Sequence, residues 1–201
     1  MATAEHILTD EMVAEIKAFF PRYPTRQAVT LPALHIVNER LRCVPLEAVV
    51  EIAKLLELAP AQVQDTLSFY GFFKQDQPHG LVRAWVCRSI SCALRGGEKV
   101  LDEMCRAAGV HAGETTADGK LTLEFGECLG ACEFAPCMLA GKTLYKNLTP
   151  ELGVKFVERC RGGNGPEPPE AEINGPIAAG GPAVAGSSNA SIGRQPGSNG
   201  K

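Results

Sequence analysis

The sequence predicts an α/β protein: a small helical bundle, then a compact domain of strands and helices, then a low-complexity tail. Three observations predict it. Between residues 9 and 70, apolar residues recur at helical spacing and prolines punctuate them. From about residue 80, short alternating segments appear between helical ones. Residues 162–201 hold ten of the 21 glycines and six of the 14 prolines and no aromatic residue, so they cannot bury enough surface to offset their ordering entropy. The expected division is 1–76 for the bundle, 80–161 for the α/β domain and 162–201 for a disordered tail.

Each element has its own signal. Thr9 is a plausible N-cap, and Met12, Val13, Ile16, Phe19 and Phe20 form one apolar stripe before Pro21. Val29, Leu34, Val37 and Leu41 continue at helical spacing, with Pro32 expected to kink or restart that helix. Pro45 opens "PLEAVVEIAKLLEL" at a first-turn position, with Val49, Ile52, Ala53 and Leu56 on one face. Pro60 repeats the device, and Val63, Leu67 and Tyr70 are expected inward. Short connections between amphipathic helices imply a bundle.

In the second region "LVRAWV" (81–86) reads as a strand. Residues 98–109 read as a helix with Val100, Leu101, Met104, Cys105 and Ala108 inward and Gly109 as its stop. An Asp118-Gly119 turn precedes a strand through Leu121, Leu123 and Phe125. A hairpin around Gly141 and a last helix over "TPELGVKFVERC" complete a sheet with helices packed on it.

Composition narrows the function classes. A net charge of −3 gives no electrostatic footprint for nucleic acid, and no apolar run is long enough to insert in a bilayer. "MATAEHILTDEMVAEI" has no basic n-region or apolar h-region, so a cytoplasmic, reducing compartment is expected. That compartment weakens a disulfide reading of the eight cysteines. No G-x-G-x-x-G or Walker loop is present, so this chain alone is expected to bind neither NADH nor flavin.

The chemistry concentrates in two cysteine pairs just past predicted strand ends, Cys87/Cys92 (C-x4-C) and Cys128/Cys132 (C-x3-C). Two loops leaving one sheet edge can bring four thiolates together, which is what a [2Fe–2S] cluster needs. Zinc also accepts four thiolates at these spacings, so spacing alone leaves both open. Ser89, Ser91, Gly96, Gly97, Gly126, Gly130 and Ala131 are small and leave backbone N–H groups free to approach sulfur. Arg88 and Arg95 either offset cluster charge or are ordinary solvated arginines. A thioredoxin-type dithiol needs C-x-x-C and a Rieske centre needs two histidines; His6, His35, His79 and His111 do not accompany the cysteine loops. Cys137 follows Cys132 by five and competes as a ligand, but its place before "MLAGKTLY" predicts a buried, core-facing thiol. Cys43, Cys105 and Cys160, in or beside helical segments, read the same way.

"CRSISCALRGG" followed by "ECLGACEFAPCMLAGKTLYKNLTPE" resembles the thioredoxin-like [2Fe–2S] ferredoxin subunit of NADH:quinone oxidoreductase, respiratory complex I. "YPTRQAVTLPALHIVNER" and "SFYGFF" are similar to the helical domain that precedes the ferredoxin domain there. The resemblance runs from about residue 9 to residue 161. It implies a thioredoxin-like fold without dithiol chemistry, and cluster ligation by Cys87, Cys92, Cys128 and Cys132. Cys137 departs from the pattern, whose ligand set ends at the position of Cys132. The resemblance further implies single-electron exchange with FMN on a partner subunit that also binds NADH. It places the chain among further peripheral-arm subunits on the cytoplasmic face of a bacterial inner membrane. The diaphorase subunit of an NAD-linked hydrogenase or formate dehydrogenase is the close alternative. A zinc-stabilised, non-redox interaction module is the alternative of another class.

Overall fold

The computed structural model describes residues 6–163. The predicted tail 162–201 thus lies almost wholly outside the described residues.

Four helices form the first unit: α1 (Asp10–Lys17), α2 (Thr30–Leu41), α3 (Leu46–Leu56) and α4 (Pro60–Phe69). Thr9 caps α1, its hydroxyl accepting from the Met12 N–H. The apolar stripes meet in one core, where Met12, Ile16, Leu34, Ile52 and Leu56 are buried. The segment before α1 is tied to α3, because the Glu51 carboxylate accepts from the Ile7 and Leu8 N–H groups at 3.0 and 2.9 Å. Two expectations change. Pro32 neither kinks nor restarts α2, which begins two residues earlier at Thr30; in a first turn its missing N–H removes no intrahelical bond. Tyr70 does not face inward: α4 ends at Phe69, the chain turns extended at Tyr70, and its ring is exposed.

The second unit is a four-stranded mixed sheet of β1 (Val82–Cys87), β2 (Leu121–Gly126), β3 (Met138–Ala140) and β4 (Thr143–Tyr145), in the order β2-β1-β3-β4. β1 and β2 are parallel, with Val82 opposite Leu121 and Cys87 opposite Gly126. β3 runs antiparallel to β1, with Val86 opposite Met138 and Ala84 opposite Ala140. The crossover from β1 to β2 contains a short helix, α5 (Ile90–Leu94), and α6 (Gly97–Ala108); α7 (Pro150–Arg161) closes the fold. One sheet face packs Ala84, Val86, Leu121, Leu123 and Met138 against Leu101 and Met104 of α6 and Phe156 of α7. Cys105 and Cys160 are buried in this core as expected, whereas Cys43, between α2 and α3, is only half-buried.

The opposite face is polar. Arg83, Thr122 and Glu124 are buried there under the segment that joins the two units. Arg83 donates to the Phe72 carbonyl, Lys74 pairs with Glu124 at 2.5 Å, and the Gly80 N–H donates to the Thr122 hydroxyl at 2.7 Å. The Phe72 ring meets Trp85 edge-on at 5.3 Å. Residues 70–80 are therefore a structural cover for the sheet as well as a connection. Among the described residues no helix is long and apolar enough to cross a membrane.

Candidate metal centre

Parallel pairing of β1 and β2 sends both strands' following loops out at the same sheet edge, and that edge gathers the cysteines. Cys87 is the last residue of β1, and Cys92 sits in α5. Cys128 follows β2 by two residues, and Cys132 opens a single 3₁₀ turn, Cys132–Phe134. Cys87 and Cys92 are buried; Cys128 and Cys132 are exposed. The site thus runs from a small apolar pocket of Ala131, Ala135, Leu129, Phe134 and Leu144 out to the surface.

The sulfur spacings fit metal ligation. Two thiolates on one tetrahedral ion at about 2.3 Å lie about 3.8 Å apart. The Cys128 and Cys132 sulfurs are 3.6 Å apart. The Cys87, Cys92 and Cys137 sulfurs all lie within 4.8 Å of one another, with Cys92 to Cys137 at 3.7 Å.

The surroundings favour sulfur anions in part. Burial alone would raise the Cys87 pKa, but hydrogen bonds from the Ser89 and Leu129 N–H groups, the Ser89 hydroxyl and Cys92 bring it below the usual thiol range. Burial pushes the Cys92 thiol up, partly offset by the Cys137 N–H that its sulfur accepts. The Cys132 thiol is raised by its hydrogen bond to Cys128 and by the neighbouring Cys128 and Cys87 charges, and Ser91 opposes that shift. Clustered thiols that disfavour one another's ionisation are what a bound cation relieves. Four sulfurs in two pairs, with backbone or hydroxyl donors aimed at Cys87, Cys92 and Cys132, fit a [2Fe–2S] group. The same donors fit zinc in spacing, so the donor set selects thiophilic metals rather than one of them.

The structure closes each predicted pair, Cys87 with Cys92 and Cys128 with Cys132, and places Cys137 with the inner one; Cys87 and Ser91 both act on Cys132, linking the outer pair to the inner loop. Cys137 is buried immediately before β3, as expected, but it lies in the apolar pocket beside Cys87 and Cys92 and outside the main core. Its carbonyl accepts from the Cys87 N–H at 3.0 Å. The predicted small residues Ser89 and Ser91 supply hydroxyl contacts, whereas Leu129, whose N–H reaches Cys87, was not singled out by the sequence. The signal that could have found it is its position directly after Cys128. Arg88 is half-exposed and pairs with Glu127, so its charge is already matched; Arg95 donates to the Ala135 carbonyl at 3.3 Å.

Gly97 holds this loop against α6. A Cβ there would stand 2.8 Å from the Cys87 carbonyl oxygen and 3.0 Å from that of Cys92. Both atoms are backbone and cannot swing away. Gly97→Ala is therefore expected to destabilise the chain by about 1–3 kcal/mol. It should also shift the EPR g-values of the reconstituted protein, because the clash falls on two proposed ligands. Wild-type g-values together with an unchanged melting temperature would refute this.

Comparison with known proteins gives a consistent outcome. The model of the thioredoxin-like [2Fe–2S] ferredoxin family matches residues 16–161. An NADH-quinone oxidoreductase subunit of Rhizobium meliloti is 37% identical over 137 residues, spanning 68% of this chain and 81% of that protein. The NADP-reducing hydrogenase subunit HndA of Solidesulfovibrio fructosivorans is 29% identical over 147 residues, spanning 73% of this chain and 85% of the relative. Among solved structures, a chain of an NAD+-reducing [NiFe]-hydrogenase in the air-oxidized state superposes with a TM-score of 0.59 at 22% identity. That match covers 67% of this chain and 23% of the hydrogenase chain, and speaks to the fold alone.

Proposed function

The chain belongs to the thioredoxin-like [2Fe–2S] ferredoxin family, and from that premise we propose that it is the electron-transfer subunit of an NADH:quinone oxidoreductase. The observation that carries the proposal is the double pair of thiols at one sheet edge, in a chain 37% identical to the Rhizobium meliloti oxidoreductase subunit over most of that protein's length. In this reading Cys87, Cys92, Cys128 and Cys132 hold the cluster. When bound, the group supplies one-electron uptake and release. The protein's part is to hold the sulfurs, to aim N–H groups at them and to keep water from the inner pair.

A hydride from NADH carries two electrons, so a flavin must stand between the nucleotide and a one-electron centre. We place FMN and NADH on a partner subunit and this chain in the peripheral arm on the cytoplasmic side, with further subunits around it. The proposed division is a helical unit 1–76, a ferredoxin unit 80–161 and the tail 162–201. Iron and sulfide analysis of the purified chain, with EPR during a redox titration, tests the reading. One [2Fe–2S] per chain, as purified or after anaerobic reconstitution with iron and sulfide, supports it; a chain that takes up no cluster under either condition overturns it in favour of an interaction module. The hydrogenase relative supports a second reading, a hydrogenase diaphorase subunit. The proteins that co-purify with the chain decide between the two.

The same edge offers a docking surface. Ile90 and Leu94, one turn apart on α5 and flanking Cys92, are 80% and 84% exposed, and Ser91 between them reaches the exposed Cys132. Two large apolar side chains exposed at the sulfur edge fit burial against the flavin-bearing subunit, whose redox centre must approach this edge. Leu94→Asp is expected to weaken that association by roughly tenfold or more. The isolated chain's EPR spectrum should stay unchanged. Unaltered assembly would move the interface elsewhere.

A further inference from the structure

We propose that before the cluster is built, Cys87, Cys92 and Cys137 form a three-sulfur site for a thiophilic metal ion such as zinc(II). This set is distinct from the four-cysteine set assigned to the cluster, and the two are mutually exclusive because both need Cys87 and Cys92. The inference stands on the geometry of the thiols and does not depend on which complex the chain joins.

Three observations carry it. The three sulfurs lie within 4.8 Å of one another, and Cys92 to Cys137 at 3.7 Å already matches the edge of a tetrahedral thiolate site. Among the described residues this is the only group of three or more side chains of metal-ligating type gathered so closely. The triangle is also held by backbone. Cys87 donates its N–H to the Cys137 carbonyl at 3.0 Å, and the Cys137 N–H reaches the Cys92 sulfur. Antiparallel pairing of Val86 with Met138 sets that register, so Cys137 cannot move without unzipping the β1–β3 pair. Each of the three residues is about 1% exposed, so little rearrangement is needed to enclose an ion.

The chemistry is simple. Zinc accepts three protein ligands and one small exogenous ligand, and soft thiolates select it over hard cations. Each ligating thiol passes its proton to solvent as the ion binds. The exposed pair, Cys128 and Cys132, stays free. A [2Fe–2S] cluster would instead take two sulfurs from each loop, leaving Cys137 as a spectator. The fifth thiol therefore gives the inner half of the site an ion-binding capacity that two cysteines alone would not have.

The test uses the full-length, cluster-free, reduced chain and zinc(II) itself. In the first arm, zinc-loaded wild type is treated with iodoacetamide and mapped by mass spectrometry. Cys128 and Cys132 should be alkylated while the zinc stays bound; zinc-dependent protection of that pair overturns the proposal. In the second arm, zinc affinity is measured by competition with a chromogenic chelator. Cys128→Ala/Cys132→Ala should still bind one equivalent. Adding Cys137→Ala should weaken binding by roughly tenfold or more. Failure of the double variant to bind zinc, or equal binding with and without Cys137, overturns the proposal. Circular dichroism verifies folding, and Cys137→Val, which keeps buried volume without a thiol, should show the same loss if Ala perturbs the pocket.

Discussion

Cys132→Ser is expected to yield a chain that lacks a normal [2Fe–2S] cluster, whereas Cys137→Ser keeps one. The two residues are five apart and both lie near the sulfur edge, so the contrast separates ligand from neighbour. Cys132 pairs with Cys128 at 3.6 Å, the spacing of two thiolates on one ion, and in the proposed ligand set this exposed pair holds the outer iron. Removing it takes a thiolate from that iron, with only an alcohol in its place. Cys137 contacts Cys92 on the buried side and belongs to the inner trio, where Cys87 and Cys92 already supply two sulfurs. Replacing it should cost at most about 1–2 kcal/mol of packing, because the thiol is buried among small apolar groups. Iron content and EPR g-values of both reconstituted variants check this. A colourless Cys137→Ser beside a wild-type Cys132→Ser would move the ligand set by one loop turn.

The position of the two cysteine loops at one sheet edge was legible in the sequence because their signals are local. Two cysteine pairs past strand-like segments, with small residues around them, need no knowledge of distant neighbours. The same holds for the Thr9 cap, the α6 stripe from Val100 to Ala108 and the turn before Leu121, all found where expected. What escaped depends on long-range register. Cys137 reads as a core thiol until β3 pairs antiparallel with β1 and sets Met138 opposite Val86, which places Cys137 beside Cys87. Tyr70 follows the helical pattern of α4, yet the chain leaves the helix there to lay Phe72 and Lys74 over the sheet. Arg88 looks like a counter-charge for a cluster until β2's following loop presents Glu127 to it. In each case a partner 39 to 50 residues away, or a turn of chain direction, decides the role, and periodicity carries no information about either.

Replacing Glu124 by Gln is expected to cost about 3 kcal/mol, the range for removing one partner of a buried ion pair. Glu124 lies on β2 beneath the inter-unit segment, with its side chain 9% exposed and Arg83's 7% exposed. Arg83 Nε donates to one carboxylate oxygen at 2.6 Å and Trp85 Nε1 to the same oxygen at 2.8 Å; Lys74 Nζ approaches the other at 2.5 Å. Gln preserves the shape but removes the charge, leaving the buried guanidinium uncompensated. For a chain of this length the melting temperature should fall by about 10 °C. Burial by itself would raise the Glu124 pKa, but hydrogen bonds from Arg83, Lys74 and Trp85 outweigh it and hold the carboxyl below the usual range. A carboxylate depressed on folding adds stability above its unfolded pKa, and that share disappears as the pH drops through the folded value. The wild type should therefore lose stability on acidification more steeply than Glu124→Gln, and the two curves should converge at low pH. The network also bears on dissection of the chain: a fragment beginning at residue 80 lacks Phe72 and Lys74 and exposes Arg83 and Glu124 together. A double replacement, Arg83→Met with Glu124→Leu, should recover much of the lost stability, since an apolar pair of similar volume leaves no buried charge unpaired. Thermal melts of the wild type and these variants, run from neutral to acidic pH, measure the coupling. A Glu124→Gln loss below about 1 kcal/mol would place the network in the range of solvent-screened surface pairs.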